Sequence, residues 1–277
     1  MSEFEGRTVF MSGGSRGIGL AIALRAARDG ANVALLAKTA EPHPKLPGTI
    51  YTAAEEIEAA GGKALPIVGD VRDADSVAGA VEQAAERFGG IDVCVNTASA
   101  IQLTPIEATE PKRYDLMQSI NSRGTFVLTK AALPHLRESE HAHVLTLSPP
   151  LSADPKWLKG NSAYTLSKMG MTMLTLGLAQ DEAENGVAAN CLWPRTLIAT
   201  AAVQNLLGGD EAMARARTPD IYADAAYAVV GRDPRECTAN AYIDDEVLAE
   251  EGITDLSKYS QPGAELALDL FVDGWPE

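Results

Sequence analysis

The chain has 277 residues, 46% of them hydrophobic and 22% charged, which suffices for the core of one large α/β domain or two small ones. With 38 acidic against 23 basic residues the net charge is −15; that disfavours nucleic acid, whose phosphates need a basic face, and an anionic membrane surface. No apolar run is long enough to insert into a membrane as a helix.

The opening Met1-Ser2-Glu3-Phe4-Glu5-Gly6-Arg7 is acidic and polar, unlike a secretory leader. Thr8-Val9-Phe10-Met11 predicts a first strand and runs into Ser12-Gly13-Gly14-Ser15-Arg16-Gly17-Ile18-Gly19. A helical pattern over residues 20–28 follows, stopped at Gly30, and Asn32-Val33-Ala34-Leu35-Leu36-Ala37 predicts a second strand. Strand, glycine turn, helix and strand form the setting of a dinucleotide-binding turn. Glycines let the backbone approach a pyrophosphate, and the helix N-terminus favours its charge. The spacing is Gly-x-x-x-Gly-x-Gly rather than the commoner Gly-x-Gly-x-x-Gly. The second strand ends at Ala37-Lys38-Thr39, with no acid for the ribose 2′-hydroxyl of NAD. Arg16 and Lys38 suit a 2′-phosphate, so NADP is expected over NAD; the plainer reading is two solvated cations.

Glu41-Pro42-His43-Pro44-Lys45-Leu46-Pro47-Gly48 has three prolines and reads as loop. A helix over 52–60, ended by Gly61-Gly62, precedes a third strand over 64–69 that stops at Asp70-Val71. Asp70 would accept from an adenine amino group or cap the next helix. An amphipathic helix over 75–88 and a fourth strand over 91–96 lead to Thr97-Ala98-Ser99-Ala100, small enough for close ligand contact. Residues 111–136 read as helix, interrupted at Asn121-Ser122-Arg123-Gly124-Thr125 by poor helix formers. A buried Asn121 needs partners, as structural glue or in a proton path.

A fifth strand over 143–148 ends at Pro149-Pro150, and residues 155–160 read as loop. Then come a helix from about 162 to 185, a sixth strand over 187–193, Pro194-Arg195-Thr196, a helix over 220–230 and a seventh strand over 238–243. Residues 244–277 look extended and acidic, without a strong motif. This alternation predicts an α/β, doubly wound Rossmann-type fold: about seven mostly parallel strands flanked by helices. One domain is expected over 1–277, with 244–277 as an acidic extension. Gly13, Lys38, Asp70, Asn96 and Ser148 fall at the strands' C-terminal ends, where ligands gather.

Tyr164 and Lys168 are four residues apart and share a helix face. An ammonium beside a phenol lowers its pKa and suits it to exchange a proton with a substrate oxygen; the bland reading is an amphipathic Tyr and a snorkelling Lys. Cys94, Cys191 and Cys237 are odd in number and far apart, so neither a disulfide framework nor a metal site is expected, and a reducing, cytoplasmic compartment fits. The end, Trp275-Pro276-Glu277, is not a peroxisomal tripeptide.

The order of these motifs resembles the short-chain dehydrogenase/reductase family. The matching pieces are Ser12-Gly13 through Gly17-Ile18-Gly19, Asp70-Val71, Asn96-Thr97-Ala98-Ser99, Asn121, Ser148, Tyr164 with Lys168, and Trp193-Pro194. The resemblance implies Tyr164 as proton donor or acceptor, Lys168 as the group that tunes it and holds the nicotinamide ribose, and Asn121 as part of a proton relay. Ser12, Gly13, Ser15, Arg16, Gly17, Ile18, Gly19, Lys38, Asp70, Val71, Asn96, Ala98, Tyr164, Lys168, Pro194 and Thr196 are then the expected cofactor contacts.

Two departures stand out. The family's second strand-end serine, which polarises the substrate oxygen, is Pro149 here, with neither hydroxyl nor N–H. Ser148 turning inward, or Ser152 reaching back, is the expected substitute; Ser148 equally reads as a hydroxyl bonding backbone. The glycine after Pro194 is Arg195, expected to add bulk or charge near the nicotinamide. The resemblance implies an NADP-dependent oxidoreductase interconverting a carbonyl and a secondary alcohol on a lipid-like or other small hydrophobic molecule. The alternatives are an NADP-binding regulator or scaffold with little turnover, and an enoyl-thioester reductase. A homodimer or homotetramer through the helices of 111–136 and 162–185 is also implied.

Overall fold

The computed structural model describes residues 4–43 and 46–275; expectations resting on residues 1–3, 44–45 and 276–277 lie outside them. Seven strands make one sheet: β1 (Thr8–Ser12), β2 (Asn32–Ala37), β3 (Lys63–Val68), β4 (Val93–Asn96), β5 (His143–Leu147), β6 (Ala188–Trp193) and β7 (Ala241–Ile243), in the order β3-β2-β1-β4-β5-β6-β7. Every pairing is parallel. β1 and β2 are apolar almost throughout because helices cover both sheet faces. Pro66, which cannot donate to a ladder, sits on β3, the edge strand. The strand order reverses between β1 and β4, the switch point where such sheets open a crevice.

One face is covered by α1 (Gly17–Ala27) and α2 (Ile50–Ala59), the other by α3 (Ala74–Phe88), α4 (Pro111–Ile120) and α5 (Ser122–Leu136). A short turn of helix, α6 (Pro155–Leu158), precedes α7 (Ser162–Asp181), which packs on β6. Then come α8 (Ala201–Leu206), α9 (Gly209–Ala214), α10 (Pro219–Gly231), which lies beside α1, and α11 (Asp244–Glu250). The predicted interruption at Asn121 is real: its backbone (φ −70°, ψ −74°) separates α4 from α5. Residues 244–250 are helical rather than extended, α6 falls in a stretch that reads as loop, and α8 and α9 fall between the sixth predicted strand and the helix over 220–230.

A third apolar cluster lies at the strands' C-terminal ends. It joins Met117, Ala163, Tyr164, Trp193, Ile243, Phe271 and Val272, so the chain's last residues pack where the sheet opens.

Candidate active site

The glycine turn is compressed against the end of β4. Gly13 and Gly17 take φ of +78° and +56°, a region that disfavours side chains. A Cβ on Gly13 would lie 2.7 Å from the Ala98 nitrogen, and one on Gly19 would lie 2.6 Å from the Gly13 oxygen. Thr97 Oγ1 donates to the Ser12 carbonyl, and Ala98 N–H donates to Ser12 Oγ at 3.3 Å. Arg16 occupies the N-cap of α1 without a side-chain capping bond. A helix N-terminus without a side-chain cap suits an anion such as a diphosphate. Ser15 is buried beneath the turn, and Val71 packs against Gly124, whose Cβ would meet it at 3.0 Å.

The two cations expected to suit a 2′-phosphate are engaged within the protein. Arg16 donates to the carbonyls of Pro47 and Gly48 at 3.1 and 3.0 Å. Lys38 Nζ lies 3.1 Å from Asp70 Oδ2. Arg72 grips the same carboxylate through Nε and Nη2, and with Lys38 holds it well below the usual carboxylate range despite partial burial. The cap of α3 is Asp73, which accepts from the N–H groups of Asp75 and Ser76, so Asp70 is not the cap.

Tyr164 and Lys168 project from α7 into the third apolar cluster, 5% and 1% exposed. Lys168 Nζ donates to Leu147 O at 2.6 Å and sits 5.1 Å from the Trp193 ring centroid. Burial lowers its pKa to about 7, opposed by nearby Asp269. The expected lowering of the phenol is overturned. Burial, reinforced by the charge of Asp269, pushes Tyr164 above its ordinary value, because desolvation penalises the phenolate.

The residues around the pair have fixed duties. Asn121 donates to Ala100 O and Ser167 Oγ at 3.0 and 2.8 Å and accepts from Ala100 N–H at 2.8 Å. It ties the loop after β4 to α7. Asn96 donates inward to Thr129 Oγ1 at 3.1 Å. Ser148 is buried with its Oγ unpartnered among the described residues, beside the Cys191 thiol. Ser152 Oγ accepts from Asp154 N–H in a local turn. Neither serine forms a bond to Tyr164 among the described residues, and Pro149 O is held by Thr172 Oγ1 at 2.7 Å. Pro194 and Thr196 are buried at the end of β6, Thr196 with its hydroxyl unpartnered.

Two contributors, Phe271 and Asp269, escaped the sequence reading, and a third, Arg195, lies elsewhere than expected. Phe271 lies against Tyr164, Trp157 and Trp193, with ring centroids 6.3, 5.8 and 5.8 Å away. Asp269 is raised to about 7 by burial and the charge of Asp244, and opposes Lys168. Arg195, expected to press on the nicotinamide, is instead turned into an acidic nest. Its Nε lies 2.7 Å from both oxygens of Asp245, Nη2 pairs with Glu246, and Nη1 donates to Gly274 O at 2.6 Å. The available signal was the acidic run Asp244-Asp245-Glu246 and the odd Arg195; nothing local joined them across 50 residues.

Known proteins resemble this chain in sequence and fold. A family model described as short chain dehydrogenase matches residues 7–209. Hydroxysteroid dehydrogenase-like protein 2 of Xenopus tropicalis is 55% identical over 273 residues, and its Homo sapiens counterpart 53%; each alignment covers 98% of this chain. The chain spans about 65% of the length of those relatives. A short chain dehydrogenase from Mycobacterium thermoresistibile superposes with a TM-score of 0.92 at 59% identity, covering 97% of this chain and 96% of that one. A dehydrogenase/reductase from Sinorhizobium meliloti gives 0.73 at 30% identity, covering 87% and 95%. The chain belongs to the short chain dehydrogenase family.

Proposed function

We propose that the protein is an NADP-dependent oxidoreductase interconverting a carbonyl and a secondary alcohol on a small hydrophobic molecule. The observation that carries this reading is Tyr164 and Lys168 together on α7, inside an apolar cluster at the open end of the sheet, beside a glycine turn whose helix N-terminus lacks a side-chain cap. The nicotinamide, when bound, supplies or takes the hydride. Tyr164, protonated at neutral pH, donates to the developing alkoxide during reduction. Lys168, fixed by Leu147 O, is placed to hold the ribose and to restore the proton. The apolar walls exclude water and favour an apolar substrate.

NADP is favoured over NAD because no acid ends β2 and because Lys38 and Arg16 keep donors beyond the bonds described above. Fluorescence titration with NADPH and NADH tests this: equal affinity for the two removes NADP from the proposal. Tyr164→Phe tests the chemistry. Reduction of a ketone is expected to fall by about a hundredfold or more while NADPH binding persists; unchanged turnover sinks the enzyme reading.

A second reading, a nucleotide-binding regulator with little turnover, is favoured by Pro149 and by Ser148 facing Cys191, which leave no serine to polarise a carbonyl. Undetectable turnover across a ketone panel, with intact NADPH binding, selects it. The exposed Phe126 and Leu174 flank a groove of about 220 Å³ between α5 and α7, which supports a homo-oligomer; light scattering of the purified protein checks it. No helix among the described residues is long and apolar enough to cross a membrane. The three free, buried cysteines suit the cytoplasm, to be tested by cell fractionation.

A further inference from the structure

The chain after Glu265 returns to the active site as a strap. Leu197 N–H donates to Ala267 O at 3.0 Å, and Asp269 N–H donates to Arg195 O at 2.9 Å. Trp193 Nε1 donates to Leu270 O at 2.7 Å, and the Arg195 guanidinium holds Gly274 O. Both feet of the 269–274 loop therefore stand on one residue, Arg195. Between them Phe271 points inward, 5% exposed, at φ +69°. Among the described residues only Ala239 shares that left-handed region without being glycine, and for a bulky aromatic such a conformation is strained.

Phe271 lies over the ring of Tyr164. Its ring is within 27° of parallel to Tyr164 at 6.3 Å. A planar group inserted between two such rings needs about 7 Å, two carbon contact distances. Trp157 and Trp193 close its other sides at 5.8 Å. Tyr164 keeps only 5% exposure, and the Phe271 ring is one of the groups that cover it. The strap is also held by the Lys156–Asp273 ion pair and by buried Val272, and against these attachments stands the strained Phe271 backbone, which leaving relieves.

Resting on the oxidoreductase reading above, we infer that Phe271 is an internal stand-in for the substrate. It occupies an aromatic slot formed by Tyr164, Trp157 and Trp193, and the substrates are carbonyl compounds bearing a flat aryl group that displaces it. The chemistry of the plug thus reports the chemistry of the subsite, and displacing the plug lowers apparent affinity by the fraction of time the slot is closed.

The test compares the full-length protein with Phe271→Gly, which removes the ring and accepts φ +69° without strain, and with Phe271→Ala as a second opening variant. With NADPH, kcat/KM for acetophenone is expected to rise at least about tenfold in Phe271→Gly, through KM, and to rise far less for 2-octanone. Toluene is expected to raise the melting midpoint of Phe271→Gly but not of the parent protein, and to compete with acetophenone. A fall in kcat/KM for both ketones, or equal gains for both, overturns the inference and makes Phe271 a fixed wall. If neither ketone is turned over by any form, the oxidoreductase reading fails separately. The slot is then read by toluene alone: stabilisation of Phe271→Gly supports it, and no stabilisation overturns it.

Discussion

Lys168 carries an ammonium into a site with 1% exposure, held by Leu147 O and opposed by Asp269. Attraction by an opposite charge shifts a pKa by about 1–3 units, while full burial shifts one by about 3–5. Burial wins, and the lysine titrates at about 7 instead of 10.5. Between those values the unfolded chain binds more protons than the folded one, so Lys168 makes stability rise with pH through that window and costs most below 7. Lys168→Met removes the effect. Its melting midpoint is expected to exceed the parent's by most near pH 6, with the gap closing toward pH 10; a constant gap contradicts the assignment. The Asn121 side chain bonds the backbone of Ala100 and Ser167 Oγ, a tie between the loop after β4 and α7.

Helix α1 and its turn were legible because the constraint is local. Gly13 and Gly19 have no room for a Cβ beside Ala98 and the Gly13 carbonyl, and such a need shows in sequence as glycine. Gly19→Ala forces its methyl group against the Gly13 oxygen and must move the turn. We expect NADPH affinity to drop by about a hundredfold, from disturbed diphosphate contacts, with a loss of roughly 1–3 kcal/mol in urea unfolding. Affinity within threefold of the parent's contradicts the turn's role. Helices α6, α8, α9 and α11 have 4 to 7 residues, too few for a 3.6-residue period to show. Helix α11 opens with Asp244, Asp245 and Glu246 at its N-terminus, where acids favour a helix. Arg195 and Arg217 face them from elsewhere in the chain.

Across the whole molecule, buried charge near the strap sets a pH response. Asp244 is fully buried, accepts from the N–H groups of Arg195 and Asp245, and is raised to about 7 chiefly by burial. Between its ordinary value of 3.8 and 7 the folded chain holds the extra proton, so this group makes stability fall as pH rises through that window. Asp244→Asn keeps an acceptor for both N–H groups and cannot ionise. Its melting midpoint is expected to decline less than the parent's between pH 5 and 8 and to lie closest to it near pH 5. Parallel curves would show that Asp244 ionises normally. His143 acts in the opposite sense, lowered to about 3 by burial and neighbouring His141, so it makes stability fall as pH drops from 6.5 to 3.

The sequence alone determined the strands in chain order, the glycine turn and the Tyr164–Lys168 pair. Each is encoded within a few neighbouring residues, by periodicity, missing side chains or helical spacing. Only the tertiary structure decided what surrounds them. It turned Arg195 away into Asp245 and Glu246, paired Lys38 with Asp70, and raised Tyr164 instead of lowering it. It also brought Phe271 back over a tyrosine more than 100 residues earlier. Burial, charge pairing and ring contact depend on distances in space between residues remote in sequence, and composition and local pattern carry no record of those distances.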